Sequence, residues 1–195
     1  MKRSKQHDFF PSLEEIEAEQ RRLATKRSWR RALRSTIYTL VVVAAIAVLA
    51  AMLYLPVLRV SGSSMEPNLN DGDIIVGVKS GDFATGQVCC FYYNNKILLK
   101  RVIGNAGDWI NIDDDGYVYV NGEKIDEPYV QERSKGICDI EFPYQVPDGH
   151  LFVLGDHRST SVDSRSSVVG CVAVDEIVGK MFFRVWPIDK FGLVE

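Results

Sequence analysis

The 195-residue sequence has only three histidines and four cysteines. None of them falls into metal-ligand spacing, since there is no Cys-x-x-Cys and no histidine pair close by. No metal and no other cofactor is therefore expected. Internal repeats and low-complexity tracts are also lacking, which leaves no repeat architecture to consider. Cys89 and Cys90 adjoin in an apparent strand and should point to opposite faces, so at most one should face a core. Cys138 and Cys171 could bridge in an oxidising exterior, or all four cysteines could pack as small free thiols.

Positive charge is scarce outside the N-terminal region. Residues 1–35 hold ten Lys/Arg against five Asp/Glu, and the rest of the chain holds 13 against 21. An acidic main domain argues against a nucleic-acid partner. A length of 195 residues with 46% hydrophobic content allows one good core plus a membrane segment, but not two large domains.

The stretch Thr36–Leu55 contains no charge at all. Twenty helical residues span roughly 30 Å, the thickness of a bilayer core, so this segment is expected to be a transmembrane helix. Lys26, Arg27, Arg30, Arg31 and Arg34 crowd its N-terminal side, whereas Arg59 stands alone behind it. The positive-inside rule then puts the N-terminus in the cytoplasm and everything after Leu55 outside, which locates the chain in the plasma membrane with a single pass. A cleaved signal peptide also starts basic and turns apolar, but its apolar core runs only about 7 to 15 residues. Ahead of the anchor, Ser12 and Glu15 form a capping-box pattern that opens a charged helix. The expected organisation is a basic amphipathic helix or tail over 1–35, the membrane helix over 36–55, and an extracytoplasmic catalytic domain over 56–195.

Past the membrane segment the pattern changes to short apolar or alternating runs: DIIVGVK, QVCCFYY, KILLKRVIG, DWINI, YVYV, HLFVLG and EIVGKMFFRV. These read as strands. Asn94-Asn95, Asp115-Gly116 and Asn121-Gly122 sit between them, where tight hairpins need residues that tolerate positive φ. The predicted fold is mainly β, a coiled antiparallel sheet or partly open barrel, preceded by the one α-helix.

Three segments carry candidate chemistry. Ser61-Gly62-Ser63-Ser64-Met65-Glu66-Pro67 is a small-residue loop through which backbone N–H groups can approach a ligand, as an oxyanion site requires. Lys100 interrupts the apolar run 96–104, where alternation sends Lys100 and Arg101 to opposite faces. One of these cations must then face inward, or the strand must be an edge guarded by charge. A buried lysine beside a serine is chemically useful, because a general base must be neutral and desolvation lowers an amine's pKa. The third segment, Gly155–Arg165, follows the apolar strand HLFVLG and is dense in hydrogen-bonding groups, with Asp and Arg among hydroxyls that can orient a catalytic amine.

In order and content these segments resemble the type I signal peptidases, whose pattern is Ser-Met-x-Pro, then Lys-Arg with a Gly-Asp turn, then Gly-Asp-Asn-Arg-x-x-Ser-x-Asp-Ser-Arg. Here they read Ser64-Met65-Glu66-Pro67, Lys100-Arg101 with Gly107-Asp108, and Gly155–Arg165. The resemblance implies a serine endopeptidase that removes signal peptides from exported preproteins. It makes Ser64 the nucleophile, Lys100 the general base and Ser161 a hydroxyl that positions the amine, with Asp163 and Arg165 as a bracing ion pair. It makes the Ser64 N–H an oxyanion donor, while the hydroxyl that some relatives add two residues earlier is replaced by Gly62. It also implies small pockets for the residues one and three before the cut, and Val60, Met65 and Leu99, which flank the catalytic groups, are the expected walls. Two departures stand out: His157 in place of Asn, and Ala106 in place of the Pro that commonly precedes the Gly-Asp turn. The histidine of the related endoplasmic-reticulum enzymes falls at Lys100 rather than at His157. A self-cleaving Ser/Lys protease of the repressor type would need a helix-turn-helix, which residues 1–35 do not form. A non-catalytic anchored β module that binds secreted partners is the reading from another class.

Overall fold

A computed structural model describes residues 13–194. Ser12 of the expected capping box lies outside them. The chain divides into two compact units, residues 1–51 and 52–195.

A single helix, α1 (Leu13–Tyr54), joins the charged and apolar segments without a break. Two devices keep it regular. Glu14 and Glu15 occupy its first turn, where carboxylates complement the positive end of the helix dipole. In the apolar half, Thr36 and Thr39 donate their hydroxyls to the carbonyls of Ala32 and Ser35, both at 3.0 Å, so neither polar group is left for a hydrocarbon environment to desolvate. The helix is long and apolar enough to cross a membrane.

Residues 52–195 form two antiparallel sheets. The large one has the order β1 (Val57–Arg59), β2 (Ile74–Val78), β11 (Ile177–Trp186), β3 (Val88–Tyr93), β4 (Lys96–Gly104), β9 (His150–Leu154), β10 (Val172–Ala173), with β12 (Gly192–Leu193) also paired to β11. The small one has the order β7 (Glu123–Lys124), β6 (Val118–Val120), β5 (Trp109–Ile112), β8 (Tyr144–Gln145). All seven expected runs are strands. The five others are two or three residues long, too short to show alternation in sequence. Register shifts interrupt β11 against β2 and β3, and β4 against β9. Such bulges sharpen the local twist, which is how a long sheet coils.

The hairpin residues behave as their chemistry dictates. Asn94 and Asn95 (φ 44° and 60°) turn β3 into β4, and Asn121 and Gly122 (φ 53° and 86°) turn β6 into β7. Between β5 and β6, Gly116 (φ 82°) donates its N–H to Asp113 O at 3.0 Å.

Both faces of β3 are covered, and this overturns the expectation for the cysteines. Cys90 packs with Val60, Met65 and Met181, while Cys89 packs with Phe91, Val102 and Val153. Each thiol is fully buried, in a different cluster, and burial pushes the pKa of each up to about 12. Cys138 and Cys171 are free thiols rather than a bridge. A third cluster, around Ile103, Ile110 and Phe152, joins the small sheet to β4 and β9.

Gly116 tests how the small sheet is held. A Cβ there would stand 2.6 Å from Ser134 N, on a backbone already at positive φ. Gly116→Ala should therefore destabilise the domain by about 2–4 kcal/mol, read as a lowered denaturant midpoint in detergent.

Candidate active site

The loop Ser61–Pro67 leaves β1 and returns to β2. Its base is closed by Val60 N–H to Asp73 O (2.8 Å) and Gly72 N–H to Val60 O (2.9 Å). Gly62 (φ 93°) donates its N–H to Asp71 Oδ1 at 2.9 Å, and Met65 and Leu69, both buried, plug the loop into the core. Ser64 is thereby held on a short, anchored turn. Its carbonyl accepts the N–H of His157 at 3.1 Å, which ties the loop to the segment after β9.

Lys100 comes from the middle of β4, opposite Cys89 on β3. Its Nζ lies 2.9 Å from Ser64 Oγ and 3.1 Å from Leu99 O. The alternation rule expects one of Lys100 and Arg101 inside, or an edge strand. Instead β4 is interior, between β3 and β9, and both cations are buried, at 3% and 1% exposure. Both faces of the strand are covered, so both side chains must find partners. Lys100 finds a hydroxyl and Arg101 a carboxylate.

Burial is the main influence on the Lys100 amine and lowers its pKa from the ordinary 10.5; Asp163 and Asp156 pull it back up, and Arg165 reinforces the lowering. Each of these carboxylates is already engaged. Asp156 takes a two-pronged ion pair from Arg101, Nε–Oδ1 2.8 Å and Nη2–Oδ2 2.7 Å. Asp163 takes the same from Arg165, at 2.8 Å for both contacts. The expected Asp163/Arg165 brace is thus formed, fully buried.

Gly155 is the pivot between these groups. Its N–H donates to Asp163 Oδ2 at 3.0 Å, and its carbonyl accepts Arg158 Nε at 3.1 Å. A Cβ at this position would stand 2.2 Å from Ser161 Oγ and 2.6 Å from Ser64 O. Ser161 is therefore packed at the same point as the Ser64 backbone. Its hydroxyl is buried and forms no hydrogen bond, so the bond to the lysine amine is not made in this structure.

Sequence reasoning missed the segment 127–136, which leaves the small sheet and lies over three buried arginines. The Tyr129 ring is 3.9 Å from the Arg101 guanidinium. Glu127 pairs with Arg158, both carboxylate and guanidinium being buried. The carbonyls of Ser134 and Lys135 accept Arg165 Nη1 at 3.2 and 2.9 Å. Asn68, from the Ser64 side, donates to Tyr129 O and Asp156 Oδ2, both at 2.8 Å. Nothing periodic marks this stretch, and its one sequence signal is a run of polar residues around two aromatic or apolar ones.

A cavity of about 100 Å³ opens beside Ser64 and Lys100. The expected walls Val60, Met65 and Leu99 all line it, joined by Leu58, Ile75 and Ile97. Leu58 and Ile97 lie two residues from Val60 and Leu99 on the same strand faces, a periodicity that would have found them.

Residues 33–186 match the profile of a family described as signal peptidase, peptidase S26. The chain belongs to that family. Signal peptidase IB of Staphylococcus aureus (strain COL) is 39% identical over 152 residues, covering 68% of this chain and 78% of the relative. Signal peptidase I of Bacillus caldolyticus is 37% identical over 149 residues, covering 68% and 80%. A crystal structure of a signal peptidase I from Enterococcus faecalis V583 is 26% identical, with a TM-score of 0.43, covering 50% of this chain and 95% of that one.

Within this signal peptidase fold, Gly155 has no room for a methyl group, and one of the atoms it would strike is backbone. Gly155→Ala should destabilise the domain by about 1–3 kcal/mol and displace Ser64. A lowered melting temperature would show the clash, and an unchanged one would contradict the close approach of Gly155 to Ser161 and Ser64.

Proposed function

We propose that the protein is a membrane-anchored serine endopeptidase that removes signal peptides from exported preproteins, with Ser64 as nucleophile and Lys100 as general base. The observation that carries this reading is the buried lysine amine 2.9 Å from the serine hydroxyl. A serine alone is a weak nucleophile, and an adjacent neutral amine activates it.

The reaction runs in two halves. Neutral Lys100 Nζ takes the Ser64 proton as Oγ bonds to the scissile carbonyl carbon. The carbonyl oxygen becomes an oxyanion, for which the Ser64 backbone N–H is the proposed donor. Collapse breaks the C–N bond, and the Lys100 ammonium returns the proton to the leaving amine. Water then attacks the acyl-serine, giving one proton to Lys100 Nζ, which passes it to Ser64 Oγ as the ester bond breaks, and the signal peptide leaves as a carboxylic acid. Asp163 and Arg165 brace the loop that carries Ser161 beside the pair. The cavity lined by Val60, Met65 and Leu99 takes the small side chains before the cut.

The membrane assignment rests on α1, on the basic cluster at 26–34, and on the outer face of the large sheet. There Val57, Val76, Phe183 and Leu193 stand in register across four strands. Val57 and Leu193 are exposed, as are Trp186, Ile188 and Phe191 nearby in the chain. Such a patch suits a lipid interface, with the N-terminus cytoplasmic and the catalytic domain outside.

Ser64→Ala and Lys100→Met should each reduce cleavage of a model precursor by at least about a thousandfold. Lys100→Met should also raise the melting temperature near neutral pH. In the folded state burial holds the amine's pKa down, so folding there opposes protonation that the unfolded chain retains, and removing the amine removes that penalty. Cleavage persisting in Lys100→Met, measured by mass analysis of the products, would end the Ser/Lys mechanism.

The pH dependence follows with the same sign. A base works when deprotonated, so kcat/KM should climb through the lowered Lys100 pKa and level off below 10.5. An inflection at the ordinary lysine value would contradict a desolvated amine.

A further inference from the structure

The loop Ser64–Pro67 is a partition. Met65 lines the apolar cavity that contains Ser64 and Lys100, whereas the next residue, Glu66, lines a second cavity of about 180 Å³. That second cavity has a different chemistry. Its walls are Glu66, Pro67, Gln131, Glu132, Asp156 and His157. Three of the six are carboxylates, no Lys or Arg is among them, and Asp156 is the only one already committed to a buried ion pair.

A peptide being cleaved must reach past Ser64 on both sides. Its acyl half is received where nucleophile and base face a small apolar cavity. Its departing half must leave over the partition, and the cavity walled by Glu66 and His157 adjoins Ser64 there, the His157 N–H bonding the Ser64 carbonyl at 3.1 Å. The far wall is contributed by the segment from the small sheet. Glu127 and Tyr129 fix that segment on Arg158 and Arg101, so Gln131 and Glu132 are presented from a rigid base.

We infer that this second cavity is the binding site for the first residues after the scissile bond, and that Glu66 and Glu132 make it select cationic or amide side chains over acidic ones. The inference rests on the proposed peptidase reading and extends it to the departing side of the substrate. Glu66 is half-buried and Glu132 exposed, so two such contacts correspond to roughly a fivefold preference rather than an absolute one.

The test uses the full-length protein in detergent and three precursors that differ only in the two residues after the cut: Lys-Lys, Gln-Gln and Glu-Glu. The expected order of kcat/KM is Lys-Lys, then Gln-Gln, then Glu-Glu, with roughly a fivefold span at low salt that shrinks as salt rises. Glu66→Gln/Glu132→Gln should flatten the series, and Glu66→Gln/Glu132→Lys, which leaves a cation in place of the two carboxylates, should reverse it. Equal cleavage of all three by the unaltered protein, or a series unchanged in both variants, would overturn the inference while leaving the peptidase reading intact. Failure to cleave any of the three would overturn both.

Discussion

The amine of Lys100 is kept out of water with a hydroxyl as its neighbour, and the surrounding architecture is arranged around that fact. A lone buried ammonium would either draw in water or recruit a carboxylate. Two carboxylates, Asp156 and Asp163, are close enough to pull its pKa upward against the lowering by burial. Each is bound in two-pronged fashion by an arginine, Arg101 or Arg165, so that its negative charge is answered before it reaches the amine. Desolvation then outweighs attraction, and the pKa falls rather than rises.

Arginine is the residue that can do this. Its guanidinium does not deprotonate under any working condition and offers five donors in a fixed plane. Arg165 uses them on Asp163 and on the carbonyls of Ser134, Lys135 and Arg158. Lysine in the same place would compete with Lys100 as a titrating group and leave carbonyls unmet. Buried ion pairs are weak as sources of net stability but severe when broken, with losses of about 3–5 kcal/mol when one partner is removed. The site is therefore fixed in geometry, since any departure exposes an unpaired buried charge. This also explains why the small sheet sends an irregular segment across the arginines: backbone carbonyls and the Tyr129 ring satisfy what strands cannot, their own groups being used in ladders.

Much of this was legible in the sequence, and the limits have physical causes. The apolar runs marked seven of the strands, including every one of four residues or more, and the Asn-Asn and Asn-Gly pairs marked hairpins, because positive φ at both central residues restricts the choice of residue. Ser64, Lys100 and the Asp163/Arg165 pair could be named because they sit in short, distinctive motifs. The two cysteines do lie on opposite faces as alternation expects, but the step from alternation to one exposed neighbour failed at Cys89-Cys90 and at Lys100-Arg101. It presumes one wet face, and here β3 and β4 are interior strands covered on both sides. The segment 127–136 was invisible for the opposite reason: it has no period, and its side chains matter only for partners distant in sequence. The role of Gly155 was likewise hidden, because a missing side chain shows its purpose only when the atoms that would collide with it are known.

The size of the apolar cavity bears on how such an enzyme would choose its bond. At about 100 Å³ it can exclude large side chains before the cut, but exclusion is not recognition. A hydrophobic pocket discriminates a methylene by only about 1–3 kcal/mol, and small residues in suitable spacing occur in most proteins. Fidelity on the proposed reading must then come from presentation. A protease tethered by its own apolar helix meets a membrane-embedded precursor at a high effective concentration, an advantage that a soluble chain with the same small residues does not share. On that reading the anchor is part of the specificity, because the bilayer decides what reaches the Ser/Lys pair before any side chain is chosen.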